Sequence, residues 1–420
     1  MIPRMGFLHQ VWMKLTPTKA LQRCQREEAR FFEYMYRVTY LAGMSSAEDS
    51  FTYSLYSTTV KFLLMCLVFT ELWHFMSTQW TIDTITDSVN ITLIQLGALY
   101  KYIKKFRNQQ VFIQLASSMN STNFDVSTKK RKDLLEYWVK RNEFHVKLML
   151  ALGTCTIIAW YIYPLVDDLE YNLCVSIRLP FTYRTPLLYA VTYISVIIVF
   201  SYISYFVMIN DLTIQAHLMH LLCQFSVLRH CFRYIIEDCK TGFNHLPESQ
   251  MYTNETFRQR CKKRLGDLIQ QHKFILNNTA ALRDILSAPM LGQLAVSTTL
   301  ICSIGYQLVA TSASVNITKW LMSLLYLGYN MFGLYIVCRC CEEIKIQNLA
   351  IGDAVYFSGW ERGITNIPGF RSSILLILAR CNKPLVLSAG GMYELSLKAY
   401  AAMVKTSYSA LTVLLRFRHN

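Results

Sequence analysis

Charge is what this sequence has least of. Asp, Glu, Lys and Arg make up 16% of its 420 residues, where a soluble chain carries about 25%. The shortage is local: it falls in several runs of about 20 residues, the length a helix needs to cross the hydrocarbon core of a bilayer. Proline is also rare, 9 residues in a chain that is 53% hydrophobic, which excludes a disordered chain. No secretory signal peptide is legible, because Lys14 and Pro17 interrupt any apolar core near the start, so the N-terminus is expected to be retained. Catalytic signatures are missing as well. There is no Ser-His-Asp constellation, glycine-rich phosphate loop or nucleotide motif, so neither an enzyme nor a cofactor is expected. The net charge of +15 does not point to nucleic acid, since the basic residues fall between the apolar runs and form no continuous patch.

Thirteen cysteines are present, yet they do not read as a disulfide framework. Most lie in apolar runs (Cys66, Cys155, Cys302) or basic segments (Cys239, Cys261), and Cys174, in an outer loop, has no obvious partner, so free thiols are expected. The Cys338-Arg339-Cys340-Cys341 run is too tight for a metal cluster and has no nearby histidine; buried thiols or a palmitoylation site fit it better. His217 and His220, three apart on one helix, read as packing, and no metal is expected. Glu71 and His74 suit an interfacial position, and Lys61 suits snorkelling to the inner surface.

Length and hydrophobicity give seven spans: Tyr53–Met76, Ser88–Phe106, Val146–Pro164, Pro186–Ile209, Pro289–Ser312, Ile317–Val337 and Gly391–Leu415. The second and seventh are the least apolar. Lys and Arg number 7 before the first span, 10 from Lys101 through Arg141, 10 between spans four and five, and 6 between spans six and seven. The opposite side carries only Arg178, Arg184, Lys319, Arg416 and Arg418. The positive-inside rule therefore predicts a cytoplasmic N-terminus and an extracellular C-terminus. A G-protein-coupled receptor has the reverse orientation, and the chain lacks an Asp-Arg-Tyr triplet and an Asn-Pro-x-x-Tyr motif. Neither the inverted repeat nor the broken helices of a transporter are visible. Of five Asn-x-Ser/Thr sequons, this topology puts Asn90 and Asn316 outside as possible glycosylation sites.

The long segment after the fourth span is not loop-like. Leu218, Leu221, Leu222, Phe225 and Leu228 recur at helical spacing, as do Leu265, Leu268, Ile269, His272, Ile275 and Leu276. These predict cytoplasmic extensions of helices four and five, with Glu342 to Trp360 as a further helix. On the last span Glu394, Lys398, Ala401, Lys405, Ser409, Thr412 and Arg416 recur at steps of three or four, opposite Leu395, Leu397, Met403, Val404 and Leu411. Spacing alone leaves two arrangements open for this stripe. Several copies meeting around water would use it as a pore wall, whereas a single bundle would pair the charges or let them snorkel.

The final stretch resolves that choice by resemblance. AVYFSGWERG (Ala354 to Gly363) and the run from Ser372 to Arg416, with its Lys383-Pro384-Leu385 turn, Ala389-Gly390-Gly391 lead-in and Lys405-Thr406-Ser407-Tyr408-Ser409 segment, resemble the C-terminal signature of insect odorant receptors. Tyr408 is kept, but Leu415 and Arg416 stand where the related gustatory receptors have Gln-Phe, and the second cytoplasmic loop is shorter than in the family's universal co-receptor. The resemblance is thus to an odorant-tuned subunit.

It implies an all-α, seven-transmembrane chain that pairs with the co-receptor in a tetramer, as a ligand-gated non-selective cation channel in the plasma membrane of olfactory sensory neurons. The implied division is a cytoplasmic segment (1–52), helices one to four (53–209), an anchor (210–288), helices five and six (289–337), an anchor helix and linker (338–390), a pore-lining helix (391–415) and an extracellular tail (416–420). Lys398, Lys405 and Tyr408 would line the pore, with Leu411 and Leu415 at the gate. A volatile odorant would lie in the outer half of the membrane. Its expected contacts are Gly153, Thr156, Ile157 and Trp160 of helix three; Val89 and Leu93 of helix two; Leu188, Thr192, Tyr193 and Val196 of helix four; Tyr306 of helix five; and Leu324 and Tyr326 of helix six.

Overall fold

The apolar runs fold as helices in the computed structural model, which describes residues 12–77, 82–120, 124–166, 171–243, 247–310, 317–361 and 367–419. Helix α1 (Arg26–Leu41) opens with Glu27 and Glu28, acids that suit the positive end of a helix dipole. The first two long helices are α2 (Phe51–Ser77) and α3 (Ile82–Arg107), followed by the short α4 (Gln109–Ser117). Then come α5 (Lys129–Val166), α6 (Pro186–Arg233), α7 (Glu255–Ala310) and α8 (Ile317–Tyr356). Helix α9 (Phe370–Cys381) leads to a small hairpin of β1 (Ser388–Ala389) and β2 (Tyr393–Glu394), and the chain ends in α10 (Leu397–His419). Of these, α2, α5, α6, α7 and α8 are long and apolar enough to cross a membrane by length and composition. Helices α3 and α10 carry polar residues along their length, as the sequence foretold for spans two and seven.

Several helices run far past the hydrocarbon core. Helix α6 has 48 residues and α7 has 56, against roughly 20 for a span. Every residue of α6 from Leu212 to Leu228 is buried. A helix that is enclosed on all sides is the centre of a bundle, and around it lie Phe32 of α1, Leu268 of α7, Ile344 of α8 and Ile374 of α9. Glu342 to Trp360 does not form a separate helix: α8 runs unbroken from Ile317 to Tyr356. Its residues have no helix breaker at the inner end of the sixth span, so propagation continues. Helix α7 likewise runs unbroken through Pro289, as the expected cytoplasmic extension of the fifth helix requires. A proline there removes one hydrogen bond of the helix ladder, and close by Gly390 N donates to Ser287 O at 2.9 Å, tying the hairpin before the last helix to α7.

Ion pairs tie this inner block together. Arg131 is 1% exposed and pairs with Asp125 at 2.6 Å and with Asp238. Arg264 of α7 closes the square through the same two carboxylates. Arg141 of α5 grips Glu343 of α8 with both terminal nitrogens, at 2.9 and 2.7 Å. All thirteen cysteines are unpaired, and Cys338, Cys340 and Cys341 are buried in the core, which leaves their sulfurs out of reach of an acyl donor.

Candidate ligand cavity and the exposed face of the last helix

Helices α3, α5, α6 and α8 enclose a cavity of about 70 Å³. Three aromatic rings meet at its edge: Trp160 stands edge-on to Tyr326, with ring centres 5.0 Å apart, and 5.7 Å from Phe200. Ile91, Ile94, Ile157 and Ile203 make the rest of the wall apolar. Thr156 adds little polarity, because its hydroxyl donates back to Leu152 O at 2.8 Å, as threonines inside helices do. Gly153 is needed where it stands. Met208 packs so closely over it that no Cβ fits without Met208 moving. The space is thus partly filled by a thioether, a flexible and easily repacked side chain.

The structure brings five of the expected contact residues to this cavity: Gly153, Thr156, Ile157, Trp160 and Tyr326. The α6 wall lies lower than expected. Phe200, Ile203, Ser204, Val207 and Met208 line the cavity, whereas Thr192, Tyr193 and Val196 are buried one to two turns further out. Tyr193 instead donates its hydroxyl to Tyr161 O at 2.6 Å, locking α6 to α5. Leu188 and Leu324 are 39% and 42% exposed, on the outside of the bundle. Leu93 and Tyr306 are not among the lining residues, and the side chain of Val89 lies outside the described residues. Ile91, Ile94 and Gln95 form the α3 wall, and Tyr329, one turn along α8 from Tyr326, closes the floor. Apolar spacing alone gives no depth along a helix, and the small or flexible residues Ser204 and Met208 were the available signal.

Helix α10 begins later than the sequence predicted. Gly390 and Gly391 take left-handed φ values of 61° and 72°, which glycine adopts without penalty, and they turn the hairpin that precedes it. Glu394 therefore is not on the helical stripe; it sits in β2 and pairs with Lys345 of α8 at 2.6 Å. The helix starts at Leu397, whose N–H donates to Glu342 of α8 at 2.9 Å, a carboxylate placed at the positive end of the helix. From there Lys398, Ala401, Lys405, Tyr408, Ser409 and Arg416 are all exposed along one side. The opposite side packs on α7 through residues such as Met403 and Ser407, both buried. Leu415 is half-buried at the flank. Leu411 lies on the packed side, as its place opposite the stripe predicts, and covers Gly305 of α7.

Asn90 is not placed to carry a glycan. It is 4% exposed and its side-chain oxygen accepts a hydrogen bond from Ser303 of α7, because the sequon lies inside α3 and faces its neighbours. Asn316 lies outside the described residues.

Comparison with known proteins places this arrangement. Residues 50–408 match the family model described as 7tm Odorant receptor. Odorant receptor 2a of Drosophila melanogaster is 24% identical over 164 residues, covering 39% of this chain and 41% of that protein. Odorant receptor Or2 of Anopheles gambiae is 29% identical over 122 residues, 27% of this chain and 30% of that protein. These alignments thus span less than half of the curated relatives. The fold is similar over far more of the chain: the insect olfactory receptor OR5 from Machilis hrabei superposes with a TM-score of 0.77 at 17% identity, covering 93% of this chain and 100% of that one. The same receptor in complex with eugenol gives a TM-score of 0.75, with the same coverage.

Proposed function

The chain belongs to the 7tm odorant receptor family, and on that premise we propose that it is a tuning subunit, an odorant-binding chain that joins a co-receptor in a ligand-gated, non-selective cation channel of the olfactory neuron's plasma membrane. The observation that carries this reading is the apolar cavity walled by Trp160, Phe200 and Tyr326. Apolar and aromatic walls with a few polar groups are what a small volatile requires, and aromatic faces hold flat ligands.

At about 70 Å³ the cavity is smaller than the roughly 150 Å³ that accommodates benzene in an engineered core. A ligand therefore enters by displacing Met208 from Gly153. The strain passes to α8, which carries Tyr326 at the cavity and Glu342 and Lys345 at the start of α10. One helix thus touches both the ligand and the base of the last helix. In the assembled channel the stripe of Lys398, Lys405, Tyr408 and Ser409 faces the water-filled axis, the environment that polar groups in a membrane require. Leu415 and Tyr408 narrow its outer end, where an apolar constriction closes by dewetting. Leu411 acts from the packed side by holding α10 against α7. The surplus of Lys and Arg on one side supports a cytoplasmic N-terminus.

The test is whole-cell current from cells expressing this chain with and without the co-receptor, challenged with a panel of volatiles while G-protein signalling is blocked. The reading predicts cation current only in the pair. Current from the chain alone, or current abolished by the block, contradicts it.

A further inference from the structure

The cavity contains a polar atom that nothing among the described residues satisfies. Gln95 is 5% exposed and lines the cavity. Its amide nitrogen donates to Glu71 of α2 at 3.1 Å, and Glu71 is itself 4% exposed. With Glu71 ionised, its carboxylate oxygen accepts the N–H and the free end of the amide is the oxygen; Glu71 Oε2 is likewise buried without a partner among the described residues. This oxygen, Gln95 Oε1, is buried and has no hydrogen-bond partner among the described residues. An amide oxygen only accepts. A second atom in the same wall, the hydroxyl of Tyr329, is also buried without a partner.

Buried polar groups are almost always paired, and an unpaired one calls for an explanation. Water is a poor answer in a wall otherwise made of isoleucine and aromatic rings, and a ligand supplies a better one. We propose that Gln95, held by Glu71, selects ligands that donate a hydrogen bond, and that the class is small, otherwise apolar alcohols and phenols. A hydroxyl can do both, donating to Gln95 Oε1 and accepting from Tyr329, at a smaller desolvation cost than the cationic amine that shares this ability. Ethers, esters and ketones satisfy only Tyr329, and hydrocarbons satisfy neither. A site built to pair with a hydroxyl discriminates strongly against analogues that lack it, since its own buried groups are then left unpaired. This inference rests on the odorant-binding reading of the cavity and adds the chemistry of the ligand.

The test uses matched ligand trios on several small skeletons, for example benzyl alcohol, benzyl methyl ether and ethylbenzene, with two readouts on the full chain. One is evoked current in cells that also express the co-receptor, and the other is thermal stabilisation of the purified protein. The alcohols are expected to act at concentrations roughly tenfold or more below their ethers and hydrocarbons. Gln95→Leu and the length-matched Gln95→Met are both expected to bring the three members of each trio within about threefold of one another, and Glu71→Gln to weaken the preference by freeing the amide to turn. Equal potency of ethers and alcohols in the unmodified chain overturns the inference, as does a preference that survives in both Gln95 variants. The two readouts separate the claims. Stabilisation by alcohols without any current upholds Gln95 selectivity and removes the channel reading, whereas currents without hydroxyl preference do the opposite. No stabilisation and no current with any trio overturns both.

Discussion

Leu411 of the last helix rests on Gly305 of α7 so closely that a Cβ at Gly305 would come to 2.8 Å from Leu411 Cδ2. The contact sets how near the outer half of α10 lies to its own subunit. Gly305→Ala therefore pushes α10 toward its exposed side, which is the axis side in the proposed channel. Maximal evoked current is expected to fall several-fold, with thermal stabilisation by ligand unchanged, and Leu411→Val in the same chain is expected to restore part of it. Unchanged current in Gly305→Ala would show that this contact does not position the pore.

Met208 and Gly153 control the room available for a ligand. Met208→Ala removes the thioether over Gly153, at a stability cost of roughly 2–5 kcal/mol typical of buried Met truncation, and is expected to admit larger ligands. Gly153→Ala does the reverse, since the added methyl group and Met208 compete for one space. Dose–response curves for a homologous series of volatiles distinguish the two: the preferred size rises in the first variant and falls in the second.

A lysine on a cation pathway is a handicap. Lys405 is exposed on the stripe at mid-helix, and like charges in a confined path repel with an energy that grows as the local dielectric falls. Lys405→Gln is expected to raise single-channel cation conductance about twofold, an effect that shrinks at high salt through screening. Conductance identical to that of the unmodified chain at low salt would remove Lys405 from the pore wall.

The inner block should weaken in acid in two stages. Burial holds His217 at about 4, His220 at about 3 and His272 at about 4, below the usual 6.5. The unfolded chain takes up those protons first, so stability is complete above about 6.5 and declines as pH falls toward 4. Asp125 follows. Burial alone would raise its pKa, but hydrogen bonds from Ser127 and the charges of Arg131 and Arg264 prevail and hold it at about 2, below the usual 3.8. Its contribution is present above about 3.8 and fades as pH falls through 2. Melting curves of the purified protein from pH 7.5 to about 2 check the order: Asp125→Asn should lower the melting temperature at neutral pH and flatten only the lower stage, while His220→Leu should flatten the upper one. Removing one partner from such a buried ion cluster costs roughly 3–5 kcal/mol.

Helix existence was legible in this sequence because each span is a long run poor in charge, and the extensions of α6 and α7 because Leu218 to Leu228 and Leu265 to Leu276 keep a helical period. The outer faces of α5 and α8 were legible too, since a small residue and aromatics one or two turns apart mark Gly153, Trp160 and Tyr326. Depth was not. Val196 and Phe200 are both apolar choices on one face of α6, and only packing against α5 decides which of them lines the cavity. Gln95 escaped notice because one amide in an already polar helix carries no periodic signal, and its significance depends on Glu71, a residue of another helix. The packing partner of Leu411 was hidden for a related reason: the notch that receives it is a missing side chain, Gly305, over a hundred positions earlier in the chain.

The most direct measurement of the central claim is odorant-evoked current in cells expressing this chain, the co-receptor, or both, with surface expression verified. Cation current that appears only in the pair, and persists without G-protein signalling, is the predicted result. Surface-expressed pairs that stay silent to a broad panel of volatiles, or currents carried by the co-receptor alone with the same ligand profile, would contradict it.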